Sequence, residues 1–482
     1  MNRQQCSFAN SICWILKGVA LTATLLTVSA WGQNPVPQIV GPVKPMAVAP
    51  GSGAFTLTVY GANFVPGAVV NWNGQPRSTT FVSAHELQAQ IFAADIAKNT
   101  AGLISVTNPG PGGGNSSASW AQVEVHKPIS TIALKEPEVY PFGSYLVLAA
   151  DFTHDEILDL VGQYGSDVLF ERGRGDGSFR FGSIAGQYYN SDGGAYGDFN
   201  GDGNLDFAYG ELPPNNANAR AKVVLGDGQG RFKSGGIISN VHVPTLNAGV
   251  ILAGDFNGDG KLDLIVTNLQ GFSVFLGRGD GTFRHMTDIA DSTLGPTWMV
   301  AGDFNGDGKL DIALFVGPDG QGSSTSLYLY LGNGDGTFQS QQTIFSATSI
   351  FGWDLRLSDL NGDGIPDLAF QTETQVCVLL GNGDGTFQPM SCTTVGTQRQ
   401  FSYAIGDINS DGKPDLFVSD YSNLNNPKFV TYLGNGDGTF QPPQSANGFF
   451  ESFGFVFGDF NADGLVDLIA PTGGGVEVFI QR

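Results

Sequence analysis

The chain has 482 residues, 69 of them glycine, and only 14% are charged, against roughly 25% in an ordinary soluble protein. Its 45 acids outweigh 23 bases, for a formal net charge of −22, which excludes the basic stripe that a nucleic-acid surface requires. With 41% hydrophobic residues it can bury a core, so disorder is excluded as well.

At the N-terminus, Arg3 and Lys17 flank an n-region free of acids, and an apolar run follows from Gly18 to Ala30, closing on Val28-Ser29-Ala30. This is the order of a secretory signal over residues 1–32, cleaved after Ala30 or after Gly32. An uncleaved anchor is the alternative. Cys6 and Cys13 lie ahead of the apolar run, so a lipoprotein cleavage site is not supported. The expected location is secreted, periplasmic or cell-surface, with no membrane span once the signal is gone.

Over residues 35–127 the segments TLTVYGANF, AVVNWNG, LQAQI and ISVTNPG alternate as short strands, spaced for a small β-sandwich. The NPGPGGG stretch reads as a loop before a last strand, SWAQVEV.

From residue 128 to the end a repeat takes over. The pattern D-x-N-x-D-G-x-x-D begins at Asp198, Asp255, Asp303, Asp359, Asp407 and Asp459, with a degenerate copy, DFTHDEILD, at Asp151. Successive copies are 47 to 57 residues apart. Half a period later comes a glycine turn, as in LGNGDGTF at Leu331, Leu380 and Leu433. The apolar runs between these motifs are too short for helices and rich in Val, Ile, Phe and Tyr. Each repeat therefore reads as four antiparallel strands, A to D, the Asp loop joining A to B and the glycine turn joining C to D. That is a propeller blade. Seven loops give seven blades, yet the chain stops at strand C of the last one. Residues 129–134 are expected to supply its fourth strand, which would remove two open edges. An open solenoid is the alternative. The fold class is all-β: a seven-bladed β-propeller of four-stranded blades, preceded by a small Ig-like β-sandwich.

These loops resemble the FG-GAP and VCBS-type repeats, a family that includes the integrin α-subunit propeller, over roughly 128–482. The resemblance implies calcium at the A–B hairpins, on the face opposite the usual ligand face. The segment with Gly61, Asn63, Phe64, Gly67, Asn73-Gly74 and the NPGPGGGNSS tail resembles the Ig-like IPT/TIG fold. That likeness implies a spacer or binding unit.

The loop spacing itself specifies calcium, a hard cation that takes six to eight oxygens. From Asp303, side chains at Asp303, Asn305, Asp307 and Asp311 can converge with the Lys309 carbonyl. The same positions are Asp198, Asn200, Asp202, Asn204 and Asp206 in one loop and Asp255, Asn257, Asp259, Lys261 and Asp263 in the next. They recur as Asp359, Asn361, Asp363, Ile365 and Asp367, as Asp407, Asn409, Asp411, Lys413 and Asp415, and as Asp459, Asn461, Asp463, Leu465 and Asp467. In the first loop Thr153 replaces Asn and Glu156 replaces Gly, which leaves a metal on Asp151, Asp155 and Asp159 in doubt. About six, at most seven, structural Ca2+ ions are expected; plain Asn-Gly and Asp-Gly turns are the alternative. Losing Arg3 and Lys17 takes the charge from −22 to −24, and six such ions would halve it.

Cys377 and Cys392 remain after signal removal and lie equally far from the centre of one glycine turn, opposite each other on adjacent strands. A disulfide is expected in an oxidising compartment; two buried thiols on a slipped register are the alternative. Arg-Gly-Asp at Arg174 and Arg278 arises by one change in the repeated Gly-Asn-Gly-Asp-Gly turn and reads as part of that turn.

No catalytic constellation is visible. The five histidines, His85, His126, His154, His242 and His285, form no metal-binding pair, and Glu211, Glu373, Asp420 and Glu451 carry no spacing signal. Long B–C loops follow Gly210, Val316 and Val418 on the face opposite the Asp loops, and Tyr145, Trp353, Phe401 and Phe453 each precede an Asp loop by six residues. Blade-to-blade packing is one reading of those aromatics; a ring at the mouth of the central channel is the other. The expectation is a secreted, calcium-stabilised binding or adhesion protein, not an enzyme, that recognises a protein or glycan through this face. An enzyme acting on polysaccharide and a passive spacer are the alternatives. Ligand identity and oligomeric state are not legible.

Overall fold

The computed structural model describes residues 34–482 apart from 46, 98–100, 112, 117–121, 126–127, 130–131, 136, 142–146, 166, 188–193, 212–219, 239–249, 269–270, 291–297, 317–324, 348–352, 396–400, 421–427, 448–454 and 473–474. The predicted signal segment lies outside the described residues. So do the three long B–C loops, His126, His242, Tyr145 and Phe453. Among the described residues every regular element is a strand, and no helix is long and apolar enough to cross a membrane.

The N-terminal module has two sheets. One orders Gln38–Lys44, Phe55–Ala62, Glu86–Ile91 and Thr79–Ser83; the other orders Ala47–Val48, Gln122–Val125, Ala101–Asn108, Val69–Trp72 and Gln75–Pro76. Alternation along these strands sends every second side chain inward. Leu57, Val59, Leu87 and Ala89 thereby share one buried core with Val70, Trp72, Ile104 and Val106.

Among the described residues, seven four-stranded antiparallel sheets make up the rest. Blade 1 is Val147–Ala150, Asp159–Tyr164, Asp167–Gly173 and Phe179–Gln187. Blades 2 to 6 repeat this order, with A strands Gly194–Gly197, Ile251–Gly254, Trp298–Gly302, Trp353–Ser358 and Phe401–Gly406. In blade 7, strands A to C are Val456–Gly458, Asp467–Thr472 and Gly475–Phe479. The A strands of blades 1 to 6 touch in succession, and that of blade 7 touches that of blade 1, so strand A is the innermost. Apolar clusters fill the seams between neighbouring sheets. Leu264 and Val266 of blade 3 meet Val223 and Leu225 of blade 2, and Leu160 and Phe179 of blade 1 meet Ile469 and Val478 of blade 7. The glycine turns add a backbone bond at these seams. Gly336 N–H donates to the Phe256 carbonyl at 3.0 Å, Gly385 to Phe304 at 2.9 Å, and Gly177 of blade 1 to Phe460 of blade 7 at 3.0 Å. The architecture is a β-propeller.

The fourth strand of blade 7 comes from before blade 1, but later than 129–134. Strand Glu138–Tyr140 pairs with Gly475–Phe479; among the described residues of the expected segment, Leu134 bridges to Gln481 and the Ala133 carbonyl accepts the Arg482 N–H at 2.9 Å. The reason lies in the geometry of blades 4 to 6. There an isolated bridge at the turn phenylalanine, Phe338, Phe387 or Phe440, precedes strand D by four residues. Leu134 and Glu138 keep that spacing, so Leu134 stands in for the phenylalanine. Ile132 and Leu134 use their apolar faces on the seam between blades 6 and 7, beside Phe417, Phe429 and Phe479. The turn phenylalanines of blades 4 to 6 are partly rather than fully buried, packed on the seams. Cys377 and Cys392 are register partners joined by a disulfide, with Cα atoms 4.0 Å apart.

Candidate metal centres

Each Asp loop follows strand A, and its ninth residue opens strand B. The loop backbone folds around its own side chains. Asp255 Oδ1 accepts the Gly258 and Asp259 N–H groups at 2.8 and 3.2 Å, and Oδ2 accepts that of Gly260 at 2.7 Å. Asn257 Oδ1 accepts the Asp259 N–H at 2.8 Å, and Asp259 Oδ1 that of Lys261 at 3.0 Å. The pattern recurs around Asp198, Asn200 and Asp202 with Asn204 as the final donor, and around Asp303, Asn305 and Asp307 with Lys309. It recurs again around Asp359, Asn361 and Asp363 with Ile365. The last two copies are Asp407, Asn409 and Asp411 with Lys413 and Asp459, Asn461 and Asp463 with Leu465. Short polar side chains that bind backbone two to five residues on are what favour such turns.

The ninth aspartate has a second task that its spacing did not reveal. Asp159, Asp206, Asp263, Asp311, Asp367, Asp415 and Asp467 are all fully buried. In blade 4, Asp311 Oδ2 accepts the Phe304 N–H at 3.0 Å and Oδ1 accepts that of Gly332, just past strand C, at 2.8 Å. Asp263 does the same with Phe256 and Gly277, and Asp467 with Phe460 and Gln481. The carboxylate clasps three strand ends together.

These carboxylates feel one another. Burial pushes Asp263 up to about 8, backbone N–H groups oppose the shift, and Asp255 and Asp259 add to it. Asp206, Asp311, Asp367, Asp415 and Asp467 rise to about 7 for the same reasons, each with the first and fifth aspartates of its own loop contributing. Among the described residues no three His, Cys, Asp or Glu groups are gathered tightly enough to hold an ion by themselves. The donors of the six intact loops nevertheless fit calcium: they are all hard oxygens, and three mutually repelling acids favour a cation among them.

The first loop does not fit. Arg172 donates to Asp155 Oδ2 through Nη2 at 2.7 Å, and Asp155, Asp159 and Asp151 together hold the guanidinium in its charged form. Every complete blade after the first has leucine at this point before the strand-C glycine: Leu225, Leu276, Leu331, Leu380 and Leu433. A fixed side-chain cation thus faces the three acids of the one loop that departs from the pattern. His154 and Glu156 take left-handed φ values of 57° and 66° where intact loops commonly have glycine, a strained state for side-chain-bearing residues.

Sequence reasoning missed a polar group among the inner strands. Arg356 donates to Asp354 Oδ2 at 2.8 Å and lies 5.8 Å from the Trp298 ring centroid. Asp354 has a left-handed φ of 58°, and its Oδ1 is buried without a hydrogen-bond partner among the described residues. Trp298 and Asp354 lie at the starts of strands A of blades 4 and 5, the ends away from the Asp loops. Trp353 and Phe401 also open A strands. The described histidines each have a hydrogen-bond partner: His85 the Gly61 carbonyl, His285 Asp288, and His154 of the first loop Asn204 of the next.

The repeat decides the family. Residues 198–266, 255–314, 313–370, 359–418 and 407–470 match the FG-GAP-like repeat, together more than half of the chain. The chain belongs to the FG-GAP-like repeat family. No curated protein matches it. Among solved structures, an Agrocybe aegerita lectin that recognises non-reducing terminal N-acetylglucosamine is 17% identical, over 84% of this chain and 100% of its own, with a TM-score of 0.49. The Dos1 propeller is 14% identical over 72% and 95%, TM-score 0.41, and a Pseudomonas aeruginosa periplasmic gluconolactonase 16% over 72% and 92%, TM-score 0.40. At these scores the superpositions are too loose to carry a ligand or an activity to this FG-GAP-like chain.

Proposed function

We propose that this FG-GAP-like protein is a secreted recognition protein: an IPT/TIG-type module followed by a closed seven-bladed propeller whose six intact Asp loops hold structural Ca2+. Calcium there would offset the mutual repulsion of the loop acids and pin each A–B hairpin. Each site at ten times its dissociation constant would add about 1.4 kcal/mol. The first loop needs no metal, since Arg172 supplies the charge.

The ligand is a glycan or protein taken up at the end of the propeller away from the Asp loops. The observation that carries this is the Trp298–Arg356–Asp354 group. Its tryptophan and its arginine, whose side chain is 36% exposed, belong to the inner strands. An aromatic face beside a charged fork and a carboxylate oxygen with no partner among the described residues suits hydroxyl-bearing or peptide ligands. The test is retention of the full chain on immobilised polysaccharides and matrix proteins in calcium, with soluble products assayed together. Retention that falls at least about tenfold in Trp298→Ala and Arg356→Ala supports the reading. Retention unchanged in both variants removes this surface, and release of oligosaccharides replaces recognition by catalysis.

A further inference from the structure

The N-terminal module lies against the Asp loops of blades 3, 4 and 5. A Cβ built on Gly260, the sixth residue of its loop, would come within 2.6 Å of Val36. At Gly308 it would come within 2.6 Å of Ala62 and 2.8 Å of His85, and at Gly364 within 2.7 Å of the Tyr60 ring. The equivalent glycines of blades 2 and 6, Gly203 and Gly412, have nothing within 4 Å. Two polar bonds join the same surfaces: Gln38 Nε2 donates to the Asp255 carbonyl at 3.1 Å, and Lys44 Nζ donates to that of Gly362. The module therefore bridges three consecutive loops and leaves others open.

We propose that these three loops are a cation-dependent docking face for the module, so that cations bound there lock the two parts of the chain together. This rests on the calcium reading given above. Every contact just named falls on loop backbone, and three loops must keep their shape at once for the module to seat. Their shape depends on the first aspartate of each loop binding the N–H of the sixth residue, the very residue the module covers. Without cations, three acids per loop repel one another beneath the module, and the module brings one close cationic bond, from Lys44. A cation that relaxes this repulsion favours docking, and by reciprocity docking tightens the covered loops' hold on their cations. The bound ions then form two classes, three tight beneath the module and the rest weaker.

The test is calcium titration of the full, chelator-stripped chain by isothermal calorimetry, alongside small-angle scattering. It is run on the unaltered chain, on Tyr60→Asp/His85→Asp, and on Lys44→Glu as a milder second variant; none of these alters a loop residue. The expected result is a tight class of three ions in the unaltered chain, loosened about tenfold in the double variant with the total count unchanged. The maximum dimension grows for the unaltered chain in chelator and for the double variant in calcium. Equal isotherms for all three proteins, or an unaltered chain that stays compact in chelator, overturn the lock and leave the calcium sites standing. Absence of bound calcium in every protein overturns both.

Discussion

At the scale of single residues, aspartates that look alike in sequence divide their work. The first and fifth positions shape the loop from within, while the ninth ties strand ends across the blade. Asp311→Ala would strand two buried N–H groups, those of Phe304 and Gly332, at an expected cost of about 3 kcal/mol. Urea unfolding in calcium and in chelator checks this: a similar loss in both marks a clasp, and a loss confined to calcium would mark a ligand only. In the first loop, Glu156→Gly relieves a left-handed φ of 66° and is expected to stabilise by about 1 kcal/mol. The loop motif was legible because its partners lie within nine residues. The clasp was not, because Asp311 and Gly332 are 21 residues apart, across a B–C loop whose length varies from blade to blade. Arg172 was legible in principle, as the arginine where later blades have leucine, but only by comparing two motifs half a period apart.

At the scale of the blade, the strand count showed that the last sheet had to borrow a strand, and the structure shows which. The expected segment was early because apolar alternation at Ile132 and Leu134 looks the same whether it pairs in a sheet or packs on a seam. The hairpin of blade 5 followed directly from symmetry about its turn, which places Cys377 opposite Cys392. Reduction of that disulfide, which links residues 15 apart, is expected to cost about 3 kcal/mol by thermal or urea unfolding. Blade 1 carries a pH term of its own. Burial pushes Glu171 up to about 7, whereas an unfolded glutamate titrates near about 4.3. The folded chain holds that proton more tightly, so this term falls away as pH rises between those values. Glu171→Gln is expected to be neutral near pH 4 and stabilising near pH 8 by about 3 to 4 kcal/mol, read from unfolding curves at the two pH values.

At the scale of the whole molecule, the repeat period announced the architecture, while the seat of the N-terminal module left no trace in the sequence. Contacts such as Gln38 with Asp255 join residues 217 positions apart, and the glycines the module covers are the same glycines that all six intact loops carry. The module covers loops at one end of the propeller, and Trp298 and Arg356 lie toward the other. The acids that give the chain its charge of −22 are concentrated in the loops, so cations bound there, as proposed, would bear on charge, stability and module docking together. The most direct measurement is native mass spectrometry of the purified chain, stripped with chelator and then returned to calcium. Six bound calcium ions, with none added at the first loop, are the expected result; a chain that returns from calcium at its metal-free mass would contradict it.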